Sequence, residues 1–230
     1  MPAAIVRTAH ATKMKPLAIF FDLDGTLVDT APDLGAAANA VRAMHGLAPL
    51  PLLDYRPVAS AGARGMLGMA LGLTPDDASY PAERDTFLAH YAEHLADNSP
   101  LFEGMAEVLA AFDAAGIAWG VVTNKPSRYT EPLLAALGLT RRCAAIVSAD
   151  EVAKAKPAPD SLLLACTRAG VAAERSIYVG DDLRDIVAGR AAGMRTVAAA
   201  WGYEGEHAIA SWGADLTLAE PKDLITLIAP

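Results

Sequence analysis

The chain is short of cysteine: Cys143 and Cys166 are the only two in 230 residues. No CxxC or Cys/His ligand spacing surrounds either. That excludes a disulfide framework and a thiolate metal site, and two buried thiols in a reduced compartment are expected. Positive charge is scarce too, with 19 Lys and Arg against 27 Asp and Glu and a net charge of −8. Nucleic acid is therefore not an expected partner, because phosphate backbones demand clustered Lys and Arg. No apolar run is long enough to span a bilayer, so no membrane partner is expected either. The first 13 residues, MPAAIVRTAHATK, hold neither an uninterrupted apolar stretch nor a cleavage site. They read as a flexible N-terminal extension of a cytoplasmic protein, not as a signal peptide. Internal repeats and low-complexity segments are absent.

What is present is apolar sequence, 53% of the chain, enough for a sizeable core. Short hydrophobic runs at 17–22, 117–122, 144–147, 176–179, 195–199 and 215–218 alternate with helical patterns near 104–115, 128–138, 159–169 and 183–192. A last helix is expected from Pro221. Near-continuous hydrophobic strands alternating with helices predict an α/β, Rossmann-like parallel sheet covered on both faces. One region breaks the rhythm. Residues 31–99 are helical throughout, in segments of roughly 33–46, 51–59, 64–72 and 82–97. They read as a four-helix cap inserted into a core made of 14–30 and 100–230.

The strand ends carry the polar chemistry. The first runs into Asp22-Leu23-Asp24-Gly25-Thr26, and two aspartates at the mouth of an apolar sheet are costly unless a cation or substrate compensates them. The second runs into Thr123-Asn124-Lys125, the fourth into Gly180-Asp181-Asp182-Leu183-Arg184-Asp185, and a loop holds Lys154-Ala155-Lys156-Pro157. Singly, each has an ordinary explanation: Asp182 or Asp185 as a helix N-cap, Thr-Asn as turn chemistry, a lysine as a solvated loop residue. Ligands bind at the carboxyl ends of strands in open α/β sheets, so a parallel sheet would gather all of these at one crevice.

Those four stretches, in that order, resemble the motifs of the haloacid dehalogenase superfamily of phosphohydrolases. The resemblance runs from residue 17 to about 205 and includes the helical insert, which stands where the family's C1-type cap belongs. It implies Asp22 as a nucleophile that forms an aspartyl-phosphate, Asp24 as general acid and base, and Lys156 as the charge-neutralising lysine, with Lys154 the weaker candidate. It implies phosphate contacts from Gly25, Thr26, Thr123 and Asn124. It implies Mg²⁺ held by Asp22, the backbone carbonyl of Asp24 and Asp181, with Asp182 and Asp185 supporting those ligands from behind.

Within the family, an acid at Asp24 disfavours dehalogenation, because a halide leaves without a proton. The lack of any lysine in residues 31–100 disfavours the phosphonate-cleaving branch. GTLVDTAPDL, VVTNKP and GDDLRDI look like the phosphoglycolate phosphatase type. AGARGM, GDDLRDIVAGRAAG and SWGADLTLAEPKDL also look like bacterial N-acetylmuramic acid 6-phosphate phosphatases. The expected activity is Mg²⁺-dependent phosphomonoester hydrolysis of a small phosphorylated metabolite, first 2-phosphoglycolate and second N-acetylmuramic acid 6-phosphate, by a monomer or homodimer. Arg64, at a cap-helix start, is the candidate for the substrate's distal carboxylate.

Other readings are a phosphosugar mutase, a non-catalytic binding module on the same fold, and a zinc peptidase. The last rests on His90-Tyr91-Ala92-Glu93-His94, which matches H-x-x-E-H but also fits a solvated helix face. GARGMLGMALG follows no strand and fits no phosphate-loop spacing, so it reads as a small-residue helix start. Trp201 and Trp212 are expected to pack at the sheet edge.

Overall fold

Six parallel strands form one sheet in the order β3-β2-β1-β4-β5-β6. They are β1 Ala18–Phe21, β2 Ala118–Val122, β3 Ile146–Val147, β4 Ser176–Gly180, β5 Arg195–Ala199 and β6 Leu216–Leu218. The computed structural model describes residues 15–203, 205 and 207–228, so the expected N-terminal extension lies outside the described residues. All four residues of β1 are fully buried. Ile19 and Phe21 join the large apolar cluster on one face, while Ala18 and Phe20 join a second cluster on the other. This two-residue alternation of two buried faces explains why the strand carries no polar residue.

The chain builds β2 and β3 on one side of β1, then returns to add β4, β5 and β6 on the other. The reversal between β1 and β4 is the switch point at which open α/β sheets bind ligands. In register, Phe21 pairs with Val179, so Asp22 and Asp181 emerge side by side just beyond the two strands.

Four α-helices lie between β1 and β2's own preceding helix: α1 Ala31–Met44, α2 Leu52–Tyr55, α3 Gly62–Leu71 and α4 Tyr80–Glu93. The expected second helix is only one α-turn, followed by a 3₁₀ segment at Arg56–Ala61, where Pro57 withholds a backbone donor. The fourth starts earlier than expected, with Pro81 in its first turn, and ends at Glu93. Both connections to this helical segment run together: Asp29 N donates to Pro100 O at 2.9 Å and Phe102 N to Leu27 O at 3.2 Å.

The remaining helices are α5 Met105–Ala114, α6 Ser127–Ala136, α7 Asp160–Ala169 and α8 Leu183–Ala191. The terminal helix is 3₁₀ throughout, from Pro221 to Leu227. Cys166 is buried as expected, but Cys143 is only half-buried, and both are free thiols. Trp212 packs against Ile186 and Ala198, whereas Trp201 donates its indole N–H to Thr26 O at 3.0 Å, beside the site loop. No helix of the described residues is long and apolar enough to cross a membrane.

Candidate active site

A cavity of about 300 Å³ opens at the carboxyl ends of β1, β2 and β4. Asp22, Asp24, Thr123, Asn124, Lys156, Asp182 and Asp185 all line it. Its polar floor is densely cross-bonded. Lys156 Nζ lies 2.9 Å from Asp22 Oδ1, 2.7 Å from Asp185 Oδ1 and 2.8 Å from the Tyr178 hydroxyl. Burial opposes the Lys156 charge, but Asp185 and Asp22 outweigh it and raise its pKa above the ordinary lysine value. Lys154, in contrast, is exposed.

Asp22 Oδ1 also accepts from Leu23 N at 2.7 Å, while Oδ2 has no hydrogen-bond partner among the described residues. Asp24 Oδ1 accepts from Thr30 Oγ1 at 2.6 Å and from Lys125 Nζ at 2.9 Å. Lys125 lies 4.6 Å from the Tyr91 ring centroid, so α4 packs directly on the cation that holds Asp24.

Asp181 is almost fully buried. It accepts from Thr26 Oγ1 at 2.7 Å, Tyr203 N at 3.0 Å and Ser60 Oγ at 3.4 Å. Burial first, then Asp22 and Asp185, push its carboxyl well above the usual carboxylate range. Asp185 is raised to about 7 by burial, which outweighs the downward pull of Lys156. Oxygens of Asp22, Asp181 and Asp185 lie within 4.8 Å of one another, the one such group of three among the described residues that could hold a metal. Three clustered carboxyls with Lys156 as the one cation in contact with them among the described residues fit a hard divalent cation. Asp185 is engaged by Lys156 and by Asp182 N at 3.1 Å and Asp181 by its three donors, so Asp22 Oδ2 is the one oxygen of the three groups with no hydrogen-bond partner among the described residues. Gly25, at φ +85°, and Gly202 lie so close to the Asp181 carboxylate that a Cβ at either would overlap it.

The floor differs from expectation at several residues. Thr26 is fully buried and turned onto Asp181, away from the cavity. The Asn124 side chain bonds the Lys156 backbone both ways, donating to its carbonyl at 2.9 Å and accepting from its N–H at 3.0 Å, so it shapes the lysine loop. Thr123 lines the cavity and accepts from Lys125 N, which leaves its hydroxyl proton free to donate. Asp182 caps α8 through Arg184 N at 2.8 Å. Arg64 is exposed and lines an adjoining groove of about 890 Å³ that shares Ser60, Ala61, Asp182 and Arg184 with the cavity; the arginines lining the cavity are Arg128 and Arg184.

Lys125, Tyr178, Tyr203 and Ser60 escaped the sequence reading. Only Lys125 left a signal there, since it adjoins Thr123-Asn124. The His90 and His94 rings are tilted at 37° with centroids 4.7 Å apart, and among the described residues no third His, Cys, Asp or Glu forms a metal-holding group with them.

The haloacid dehalogenase-like hydrolase family pattern matches residues 19–199. The N-acetylmuramic acid 6-phosphate phosphatase of Pseudomonas aeruginosa is 45% identical over 217 residues, covering 94% of this chain and 96% of that protein. The phosphoglycolate phosphatase of Xanthomonas campestris is also 45% identical, over 91% of this chain and 95% of that protein. Among crystal structures, that of a predicted phosphoglycolate phosphatase from Haemophilus somnus superposes with a TM-score of 0.80 at 28% identity, covering 95% of this chain and 100% of that one. Motif, fold and relatives agree along almost the whole sequence, and the chain belongs to the haloacid dehalogenase-like hydrolase family.

Proposed function

We propose that the protein is a Mg²⁺-dependent phosphomonoesterase that works through an aspartyl-phosphate on Asp22. The observation that carries this reading is the state of the Asp22 carboxylate. One oxygen is fixed by Lys156 and Leu23 N, and the other is left free at a cavity that Asp24 also lines. Asp22 Oδ2 attacks phosphorus as the ester P–O bond breaks, and Asp24 gives its proton to the leaving oxygen. Asp24 then takes a proton from water, which attacks the aspartyl-phosphate, releases inorganic phosphate and restores Asp22. The Thr123 hydroxyl and the Lys156 ammonium hold charge that develops on the phosphoryl oxygens. Asn124 keeps Lys156 in place. Asp22, Asp181 and the Asp24 carbonyl would hold the cation, which would neutralise charge on the carboxylates and the phosphate.

Residues 31–99 act as a cap over a core of 14–30 and 100–230. The paired connections at Leu27–Asp29 and Pro100–Phe102 supply its two hinge strands, and closure excludes water from the reaction. The substrate class is a small phosphorylated metabolite that also carries a carboxylate. Sequence resemblance puts 2-phosphoglycolate first. The cavity supports the second reading, N-acetylmuramic acid 6-phosphate: at about 300 Å³, with Leu34, Phe87, Leu88, Tyr91 and Tyr129 in its wall, it has room and apolar surface beyond a two-carbon acid.

Hydrolysis of p-nitrophenyl phosphate that needs Mg²⁺ and is abolished in Asp22→Asn supports the reaction. Undiminished turnover by that variant overturns it.

A further inference from the structure

Resting on the reading of this cavity as a phosphatase site, we propose that Arg184 recognises the carboxylate of the substrate's non-reacting part. The cavity's cations are unequally committed. Lys156 is bound between Asp22 and Asp185, and Lys125 is bound to Asp24, so neither has charge to give to the far end of a substrate. Arg128 is exposed at the rim, stacked 4.8 Å from the Tyr129 ring centroid.

Arg184 is held on one edge and open on another. Its Nε donates to Asp182 Oδ1 and its Nη2 to Asp182 Oδ2, both at 2.8 Å, and Nη2 also donates to Ser60 O at 2.9 Å. Nη1 makes no hydrogen bond among the described residues, and the side chain keeps 38% of its surface exposed. The hydrogen bonds to Asp182 secure its charge, raising its pKa further above the ordinary arginine value. Two N–H donors on a permanent cation thus remain on a guanidinium whose plane is already fixed. A group fixed in advance gives up little side-chain freedom on binding, which favours a charge-assisted bond to a carboxylate. Ser60 belongs to the 3₁₀ segment of the helical region, and its hydroxyl reaches Asp181, so this cation stands where the two parts of the chain meet beside the carboxylate cluster. The role foreseen for Arg64 passes to an arginine inside the GDDLRD stretch.

The test pairs substrates that differ only in the carboxylate-bearing group: N-acetylmuramic acid 6-phosphate against N-acetylglucosamine 6-phosphate, and 2-phosphoglycolate against ethyl phosphate. Each is measured as kcat/KM with wild type, Arg184→Gln and Arg184→Lys. Wild type is expected to prefer the acid in at least one pair by about 10- to 100-fold, the scale of a charge-assisted contact at 1.4 kcal/mol per tenfold. Arg184→Gln is expected to collapse that preference to within about 3-fold, with the loss confined to the acid, and Arg184→Lys to restore part of it. A variant that merely disturbs the fold slows both members of a pair equally, and that result overturns the proposal. A preference unchanged in Arg184→Gln, or absent from wild type in both pairs, also overturns it while leaving the phosphatase reading intact. Failure of wild type to hydrolyse even p-nitrophenyl phosphate overturns that reading and this inference together.

Discussion

The floor of the cavity and its wall are built on opposite principles. The floor, at the strand ends, is charged, largely buried and held by bonds of 2.6–2.9 Å among Asp22, Asp24, Lys156, Asp185, Thr30 and Lys125. The wall, from the helical segment, offers Leu34, Phe87, Leu88 and Tyr91, with Ala59, Ala61 and Ala63 leaving room between them. A floor of this kind is intolerant of change, because each buried charge depends on its partner. Apolar walls are permissive, since shape and volume count for more than identity. Chemistry is thus fixed where the sheet ends, and selectivity is left to the helices and to the one arginine between them.

The most severe way to break the floor is to remove the attacking oxygen. Asp22→Asn is expected to lower kcat/KM by more than about 10³-fold, as loss of a nucleophile does, while circular dichroism and the urea midpoint show it folded.

Cutting the central cation comes next. Lys156→Met leaves Asp22 and Asp185 facing each other without compensation, and urea unfolding should register a loss of about 3–5 kcal/mol. An equal change on the wall, Leu88→Ala, should act chiefly on KM, and the contrast between the two variants measures how far floor and wall differ.

Metal and pH probe the same repulsion. Saturating Mg²⁺ should stabilise wild type by about 2.7 kcal/mol at 100 times its dissociation constant, and Asp181→Asn should lose most of that gain. In metal-free protein, the raised carboxyls of Asp181 and Asp185 retain protons that the unfolded chain has already released. The folded state therefore binds more protons between pH 3.8 and about 7, and stability falls as pH rises through that window. Urea midpoints in chelator across this range should show the slope in wild type and a shallower one in Asp181→Asn.

The smallest effect is expected outside the cavity. Arg64→Ala should leave kcat/KM within about 3-fold of wild type, the behaviour of an exposed residue that does not line the cavity. A larger loss would mean that the adjoining groove contributes to substrate binding.

The sheet was legible because β1 is buried on both faces, and its Ala-Ile-Phe-Phe run advertises this without any partner in view. Asp22 stands out for a related reason, as a charge set directly against an apolar run, whereas Lys156 lies in a polar loop and is singled out only by the resemblance of its motif. Where the side chains of Thr26 and Asn124 turn is not legible, because short polar side chains carry no sign of it; they turn to Asp181 and to the Lys156 backbone. Tyr178, in an apolar strand, and Tyr203, in a glycine-flanked turn, are not legible because a buried tyrosine looks like any core aromatic until its hydroxyl finds a partner. The Arg64 expectation rests on its helix-start position beside Gly62 and Gly65 in the AGARGM stretch; the groove that receives Arg64 is set by how α3 meets the core, a long-range matter.

The most direct test of the account is to quench the wild-type enzyme in acid during steady turnover and locate any added phosphoryl group by peptide mass spectrometry. One phosphoryl group on the peptide containing Asp22, absent from Asp22→Asn, is the predicted result. Turnover with no adduct, or with one on another residue, would contradict it.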